Sequence, residues 1–384
     1  MPALFLIPLQ ILADKPDMSI RLGGRYGRFS NIDDAAELLL EHNSGYPHFD
    51  IAFGFNHSPK DSSYIRDAWN YPTAGVGFSV SLYDCLECNK ERNVSLSNIY
   101  NLYLFSEWDL YRSKKLSLGI YGEAGIGYTN EIYDAATNRG NWFLGSHLTL
   151  FAGIGPYLRY FITPQLELGL SPMFWHHSNG RVKLPNVGLN EYGVELFMRY
   201  HLGTPYRGRP AHFAKTDKAS GHNWDIYAGA APYMSRAQQH GMPETMGGTP
   251  EWRAVIGGDI LWKISHIYST GAQLDIFYTS DTDILKECDK LLLGDTSPDG
   301  YHPIQLGISS AHELYLSPRF TMYGSIGLYL YRELGLYESR TIVFEKLGAR
   351  YYLPKAGNIF LALNCRAYNC VRADNLEFCI GKRF

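Results

Sequence analysis

The chain has 384 residues, with 29 Tyr and 38 Gly, 14% aromatic residues, 19% charged residues and a formal net charge of -3. So little charge beside so many aromatics is unusual for a soluble enzyme, and the near-neutral balance gives no basic footprint for nucleic acid. No stretch reaches the roughly 18 uninterrupted apolar residues of a membrane helix, but barrel strands need only about 9–11 residues and face lipid with every second one.

In chain order, residues 2–13 (PALFLIPLQILA) form a short apolar run. It reads as a candidate signal-peptide core ending at Ala13, although it lacks a basic leader and a small-x-small cleavage site; an ordinary N-terminal tail is the other reading. Period-two alternation then begins. In FDIAFGFN, Phe49, Ile51, Phe53 and Phe55 share a face; in LTLFAGIGPYLRY, Leu148, Leu150, Ile154 and Leu158 oppose Thr149, Gly153 and Arg159. One apolar face against one polar or small face is strand patterning. Eight strands are expected near 18–28, 48–56, 74–84, 98–110, 116–127, 146–161, 165–177 and 190–202. Cys85 and Cys88 form one CxxC in a predicted loop with no second pair, which favours a local disulfide or two free thiols over a metal site.

Residues 203–223, polar and rich in Pro, Gly and Lys, read as a linker. Eight more strands follow near 224–234, 251–263, 266–279, 303–316, 318–331, 341–353, 358–368 and 375–384. The two halves look like a diverged duplication, since RYFITPQLELGL (159–170) parallels RYYLPKAGNIFLAL (350–363). The fold class is therefore all-β, a transmembrane antiparallel β-barrel of about sixteen strands in two eight-stranded repeats. Whether these make one large barrel or two small ones stays open. Tyr and Trp near strand ends, polar opposite faces and a last strand ending on Phe384 all favour a membrane barrel over a soluble sandwich.

The informative stretch is LELGLSPMFWHHSNGRVKLPNVGLNEYGVELFMRY, residues 166–200. Leu166, Leu168, Leu170, Pro172 and Phe174 alternate on the apolar face, and His176 and Ser178 continue them in phase. The pair lies on one side, roughly 6–7 Å apart along the strand. Ser is a weak nucleophile until a base takes its proton, and His is the usual base near neutral pH. A third group commonly fixes the imidazole. Asn190 opens the next strand in phase with Tyr192, Val194, Leu196 and Met198, on the same face as His176, whereas Glu191 points the other way unless a bulge shifts the strand. Asn179, Asn186 and the backbone N–H of Gly180 are nearby donors for an oxyanion. A His-x-Ser at a strand end is by itself usually a solvated loop edge; polar groups continuing a lipid-type face are harder to explain by packing.

FWHHSNG…LPNVGLN resembles the signature of PagL-type lipid A 3-O-deacylases, the bacteroidete acyloxyacyl hydrolases, over roughly residues 18–202. The resemblance implies an eight-stranded outer-membrane barrel that cuts an ester-linked acyl chain from lipid A in lipopolysaccharide. It implies Ser178 as nucleophile, His176 as base, and Asn179, Gly180 and Asn186 as oxyanion candidates. The family's acidic third member falls at Asn190, which can orient the ring but cannot supply charge. No metal and no cofactor are implied. The domain reading is a candidate signal peptide (1–13), a catalytic repeat (14–202), a linker (203–223) and a second, non-catalytic repeat (224–384). In that second repeat Asn369 and Val371 align with His176 and Ser178. The competing reading is a non-catalytic outer-membrane barrel, as a porin, transport component or structural anchor.

Overall fold

The computed structural model describes residues 17–30, 35–57, 64–203, 205, 217–235, 238, 242, 248–298, 300–338, 341–368 and 372–384. The candidate signal peptide, most of the expected linker, and Asn369 and Val371 lie outside the described residues. The first barrel consists of β1 (Asp17–Phe29), β2 (Tyr46–Asn56), β3 (Thr73–Ser81), β4 (Ile99–Arg112), β5 (Leu116–Thr129), β6 (Leu148–Phe161), β7 (Leu166–Ser178) and β8 (Leu189–His201). The second consists of β9 (His222–Tyr233), β10 (Glu251–Ser265), β11 (Tyr268–Thr279), β12 (Ile304–Tyr315), β13 (Phe320–Tyr331), β14 (Val343–Tyr352), β15 (Ile359–Tyr368) and β16 (Arg372–Arg383).

The choice between one barrel and two is settled by pairing. β1 pairs with both β2 and β8, and β9 pairs with both β10 and β16, so each half closes on itself as an eight-stranded antiparallel barrel. Closure removes the free edges that an open sheet would present, which hydrocarbon cannot satisfy.

Side-chain alternation sorts each strand of the first barrel into two environments. Leu22, Phe49, Ile154, Leu168, Leu196 and Met198 point outward and are exposed. Their in-strand neighbours fill the lumen. Arg21 reaches Asp50 at 3.5 Å and also pairs with Glu195. Arg25 donates to both oxygens of Glu123 at 2.8 and 3.0 Å. Arg159 contacts Asp109 at 2.5 Å and Glu107 at 3.1 Å, and Glu107 also holds Arg199. The Arg21 guanidinium stacks 4.6 Å from the Tyr121 ring and 4.4 Å from Phe197. Gly169 leaves room for that aromatic layer, since a Cβ there would fall 2.0 Å from Phe197 Cζ. An eight-stranded barrel is just wide enough to be filled in this way. Each buried charge needs its partner, because breaking such a pair costs about 3–5 kcal/mol.

Antiparallel order places the connections 30–45, 82–98, 130–147 and 179–188 on one rim, and the connection 57–72 with the short turns 113–115 and 162–165 on the other. The first rim carries an apolar core of its own: Phe29, Leu39, Tyr46, Tyr83, Val94, Phe143 and Leu189 are among its buried members.

The second barrel repeats the lumen chemistry. Arg350 sits 2.7 Å from both Asp225 and Asp259, Lys346 lies 3.0 Å from Asp275, and Arg366 lies 3.0 Å from Asp374. Its β11–β12 connection contains a helix, Thr282–Leu293. That helix ends on Gly294, whose φ of 74° supplies the left-handed cap. Leu285, Cys288 and Leu334 form a small cluster there.

Candidate active site

The site is built on the rim end of β7 and the start of β8. Along β7 the outward residues Leu168, Leu170 and Phe174 are exposed; His176 is half-buried, and Ser178 is only 9% exposed. The polar pair thus continues the outward face but is covered where it reaches the rim. The β7–β8 register runs without a break from Leu166↔Tyr200 to His177↔Leu189 and sets His176 directly opposite Asn190. His176 Nδ1 and Asn190 Oδ1 are 2.8 Å apart. Because the register has no bulge, Glu191 faces the interior and is 2% exposed. With Nδ1 donating to the Asn190 carbonyl, Nε2 is the ring nitrogen left to accept a proton. Among the described residues no hydrogen bond joins His176 and Ser178; contacts of this kind often tighten only around substrate.

The connection after Ser178 folds back over the pair. Gly188 has φ of 80°, and a Cβ there would fall 2.9 Å from His176 Cε1 and 3.3 Å from Ser178 Cβ. Only glycine combines that backbone with that proximity. Two backbone bonds fix this roof: Val187 N–H to Trp142 O at 3.2 Å and Gly188 N–H to Phe143 O at 3.1 Å. The Asn179 N–H donates to Asn186 Oδ1 at 2.9 Å, and Asn179 Nδ2 donates to Ser146 Oγ at 3.0 Å. Asn179 and Asn186 are therefore brought together, with Asn186 fastening the loop. Gly180 follows Asn179 directly, two residues after Ser178, with φ of 63°.

Behind the strand lies a buried polar cluster. Glu191 accepts a hydrogen bond from the Tyr83 hydroxyl, and its other oxygen is 3.8 Å from His177 Nδ1. His177 Nε2 bonds Asn101 Oδ1 at 3.1 Å, and its ring packs 4.8 Å from Phe151. Sequence reasoning missed Gly188, Ser146 and Tyr83. Gly188 stands within the quoted LPNVGLN and could have been found there as a glycine after a proline turn; Tyr83 and Ser146 fall at the margins of the expected strands 74–84 and 146–161, where the structure has connections instead. Cys85 and Cys88 are free thiols, and no cluster suited to a metal ion occurs among the described residues.

Residues 90–199 match the family model described as "Lipid A 3-O-deacylase (PagL)", and residues 222–384 match the one described as "Acyloxyacyl hydrolase, C-terminal domain". The chain belongs to the PagL family. The match extends the expected resemblance into the second half, so the second barrel is itself a PagL-family domain. No curated protein matches the chain. Among solved structures, the neisserial surface protein A is similar at 10% identity and a TM-score of 0.31, over 48% of this chain and 96% of that one. A de novo designed transmembrane β-barrel is similar at 14% identity and a TM-score of 0.23, over 49% and 98%. The toluene transporter TbuX of Ralstonia pickettii is similar at 10% identity and a TM-score of 0.18, over 96% and 89%.

Proposed function

We propose that the first barrel is an outer-membrane lipid A deacylase that hydrolyses an ester-linked acyl chain of lipopolysaccharide through Ser178, His176 and Asn190. The observation that carries this reading is the 2.8 Å bond between His176 and Asn190 on the outward face, with Ser178 two residues along the same face of β7. Long connections of outer-membrane barrels face the cell exterior. The site lies on the rim where three of the four connections are longer than fifteen residues, the end that this reading assigns to the outer leaflet, where acyl esters meet the headgroups.

In the proposed reaction, Ser178 Oγ attacks the ester carbonyl while His176 Nε2 takes its proton. The Nδ1–H···Oδ1 bond to Asn190 holds the tautomer that leaves Nε2 free to do so. Asn179, Asn186 and Gly180 are the oxyanion candidates that the resemblance supplies. The tetrahedral intermediate expels the sugar oxygen, which receives the proton from His176. Water then attacks the acyl-enzyme, again losing its proton to His176, and the fatty acid leaves as Ser178 regains its hydrogen. Covering of Ser178 by the Gly188 roof keeps bulk water from the acyl-enzyme until the sugar has left.

The test is mass spectrometry of lipid A from cells carrying the wild-type chain or Ser178→Ala. Wild-type cells are expected to lose one ester-linked acyl chain and the variant to retain it; an identical acyl count in both overturns the reading. The competing pore reading has little support from the lumen, which is packed with ion pairs.

A further inference from the structure

Asn190 is the only outward residue in a run of three at the start of β8, and its two neighbours are both tied into the rim core. Leu189, on one side, is 1% exposed and packs in the cluster that includes Tyr83, Phe29 and Phe143. Glu191, on the other side, is buried and takes hydrogen bonds from the hydroxyls of both Tyr83 and Tyr46. The Asn190 carbonyl also accepts the Ser30 N–H at 2.8 Å. Tyr83 itself is fully buried. Its ring sits 4.7 Å edge-on from Tyr46 and 5.4 Å from Phe29. It is held by the start of the long β3–β4 connection, where Leu82 N–H reaches Pro47 O at 3.0 Å and Leu86 N–H reaches Tyr83 O at 3.0 Å.

A tyrosine with every edge packed has no freedom to seek a different partner, and a buried hydroxyl must be bonded. Strand alternation converts this into control of the opposite face: with Leu189 and Glu191 pinned inward, the Asn190 side chain is fixed outward at the height of His176. Orientation of the imidazole therefore depends on a group on the far side of the strand, which touches neither His176 nor Ser178.

We propose that Tyr83 is a positioning residue of the deacylase site: its bond to Glu191 fixes the backbone of Asn190 and, through it, the Asn190–His176 contact. This rests on the deacylase reading above. Tyr83 does no chemistry; it sets the fraction of time that the His176 ring is correctly oriented, so it acts on kcat and not on lipid binding.

The experiment is a double-mutant cycle on the full chain, purified in detergent and supplied with lipopolysaccharide, with fatty-acid release followed by mass spectrometry. Tyr83→Phe keeps the ring and removes the hydroxyl. It is expected to lower kcat about tenfold at unchanged KM, and to have no further effect in an Asn190→Ala background, because the interaction it serves is already gone. Glu191→Ala should reproduce the loss, and Glu191→Gln, which keeps an oxygen acceptor for Tyr83, should recover most of it. Heat-modifiable migration on a gel confirms that each barrel is folded. Full kcat in Tyr83→Phe, or the same fold-loss with and without Asn190, overturns the role of Tyr83 and leaves the deacylase reading standing. If Tyr83→Phe does not fold, the Glu191→Ala cycle decides by the same criterion. An inactive wild-type chain, or an active Ser178→Ala, overturns the deacylase reading and this inference with it.

Discussion

In the first barrel Arg21, Arg25, Arg159 and Arg199 point into the lumen, toward Glu195, Glu123, Asp109 and Glu107. In the second, Arg350, Lys346, Arg366 and Arg383 do the same toward Asp259, Asp275, Asp374 and Asp225. The rims differ. Thirteen buried residues form the apolar rim core of the first barrel among the described residues, whereas the largest cluster around the connections of the second has three buried members. The first also carries a His–Asn bond on its outward face. The comparison separates two requirements that one barrel sequence must meet. A filled, charge-paired lumen is what closes an eight-stranded sheet. A site on the lipid side needs something further, a rigid rim that holds polar side chains outward in register.

Ser178→Ala sharpens that separation most. Loss of the nucleophile is expected to lower the acyl-release rate on the order of 10³-fold or more, as for other hydrolases whose nucleophile is removed. Ser309, a buried lumen serine of the second barrel, is the control: Ser309→Ala should leave the rate unchanged, and a comparable loss there would break the assignment of chemistry to one barrel alone. Next in size is the lumen itself. Arg199→Met in the first barrel leaves Glu107 with Arg159 alone, and Arg350→Met in the second takes the arginine from Asp259 while Asp225 keeps Arg383. Each should cost about 3–5 kcal/mol in urea unfolding followed by tryptophan fluorescence. A markedly smaller loss in either barrel would mean that the two lumens are not held by the same means.

The strands were legible because lipid outside and charge inside impose period two on nearly every one of them, and all sixteen expected strands occur close to their expected positions. Phase also placed His176, Ser178 and Asn190 on one outward face, since nothing in β7 or β8 breaks the alternation. Closure was not legible. One sixteen-stranded barrel and two eight-stranded ones need the same local pattern and differ only in whether β8 meets β1 or β9, a pairing that no local periodicity encodes. The rim core was hidden for a related reason. Leu39, Tyr83, Val94 and Phe143 come from separate connections and converge only in three dimensions. Covering of Ser178 followed from that: strand phase predicts an outward serine, and only the folded connection with Gly188 shows why it is 9% exposed.

Gly188 supplies a smaller effect on the same comparison. Gly188→Ala adds a methyl 2.9 Å from both His176 Cε1 and the His177 carbonyl oxygen, at a φ that disfavours any side chain. The roof must shift or the ring must turn, and fatty-acid release should fall about tenfold while the barrel stays folded, since strain at such a position costs on the order of 1–3 kcal/mol. An unchanged rate would show that the roof moves freely and does not constrain the ring.

An effect of similar size, and a smaller one of opposite sign, bear on the proposed third member of the site. In the proposed mechanism Asn190 orients His176 through a neutral acceptor, so the imidazolium of the transition state would gain no opposite charge from it. Asn190→Ala removes the acceptor and should lower kcat roughly tenfold, the scale of losing one hydrogen bond that orders a catalytic group. Asn190→Glu restores a carboxylate where the PagL pattern has one and should raise kcat severalfold, because the charge then develops beside a counter-ion already in place. The two variants differ in sign, which makes them informative together. A loss in both would mean that the outward pocket at β8 fits the amide and excludes the longer side chain. A gain in Glu with no loss in Ala would mean that the 2.8 Å bond does not order the ring at all. Glu191 cannot take over in either variant, because the unbroken β7–β8 register keeps it on the interior face with Tyr83.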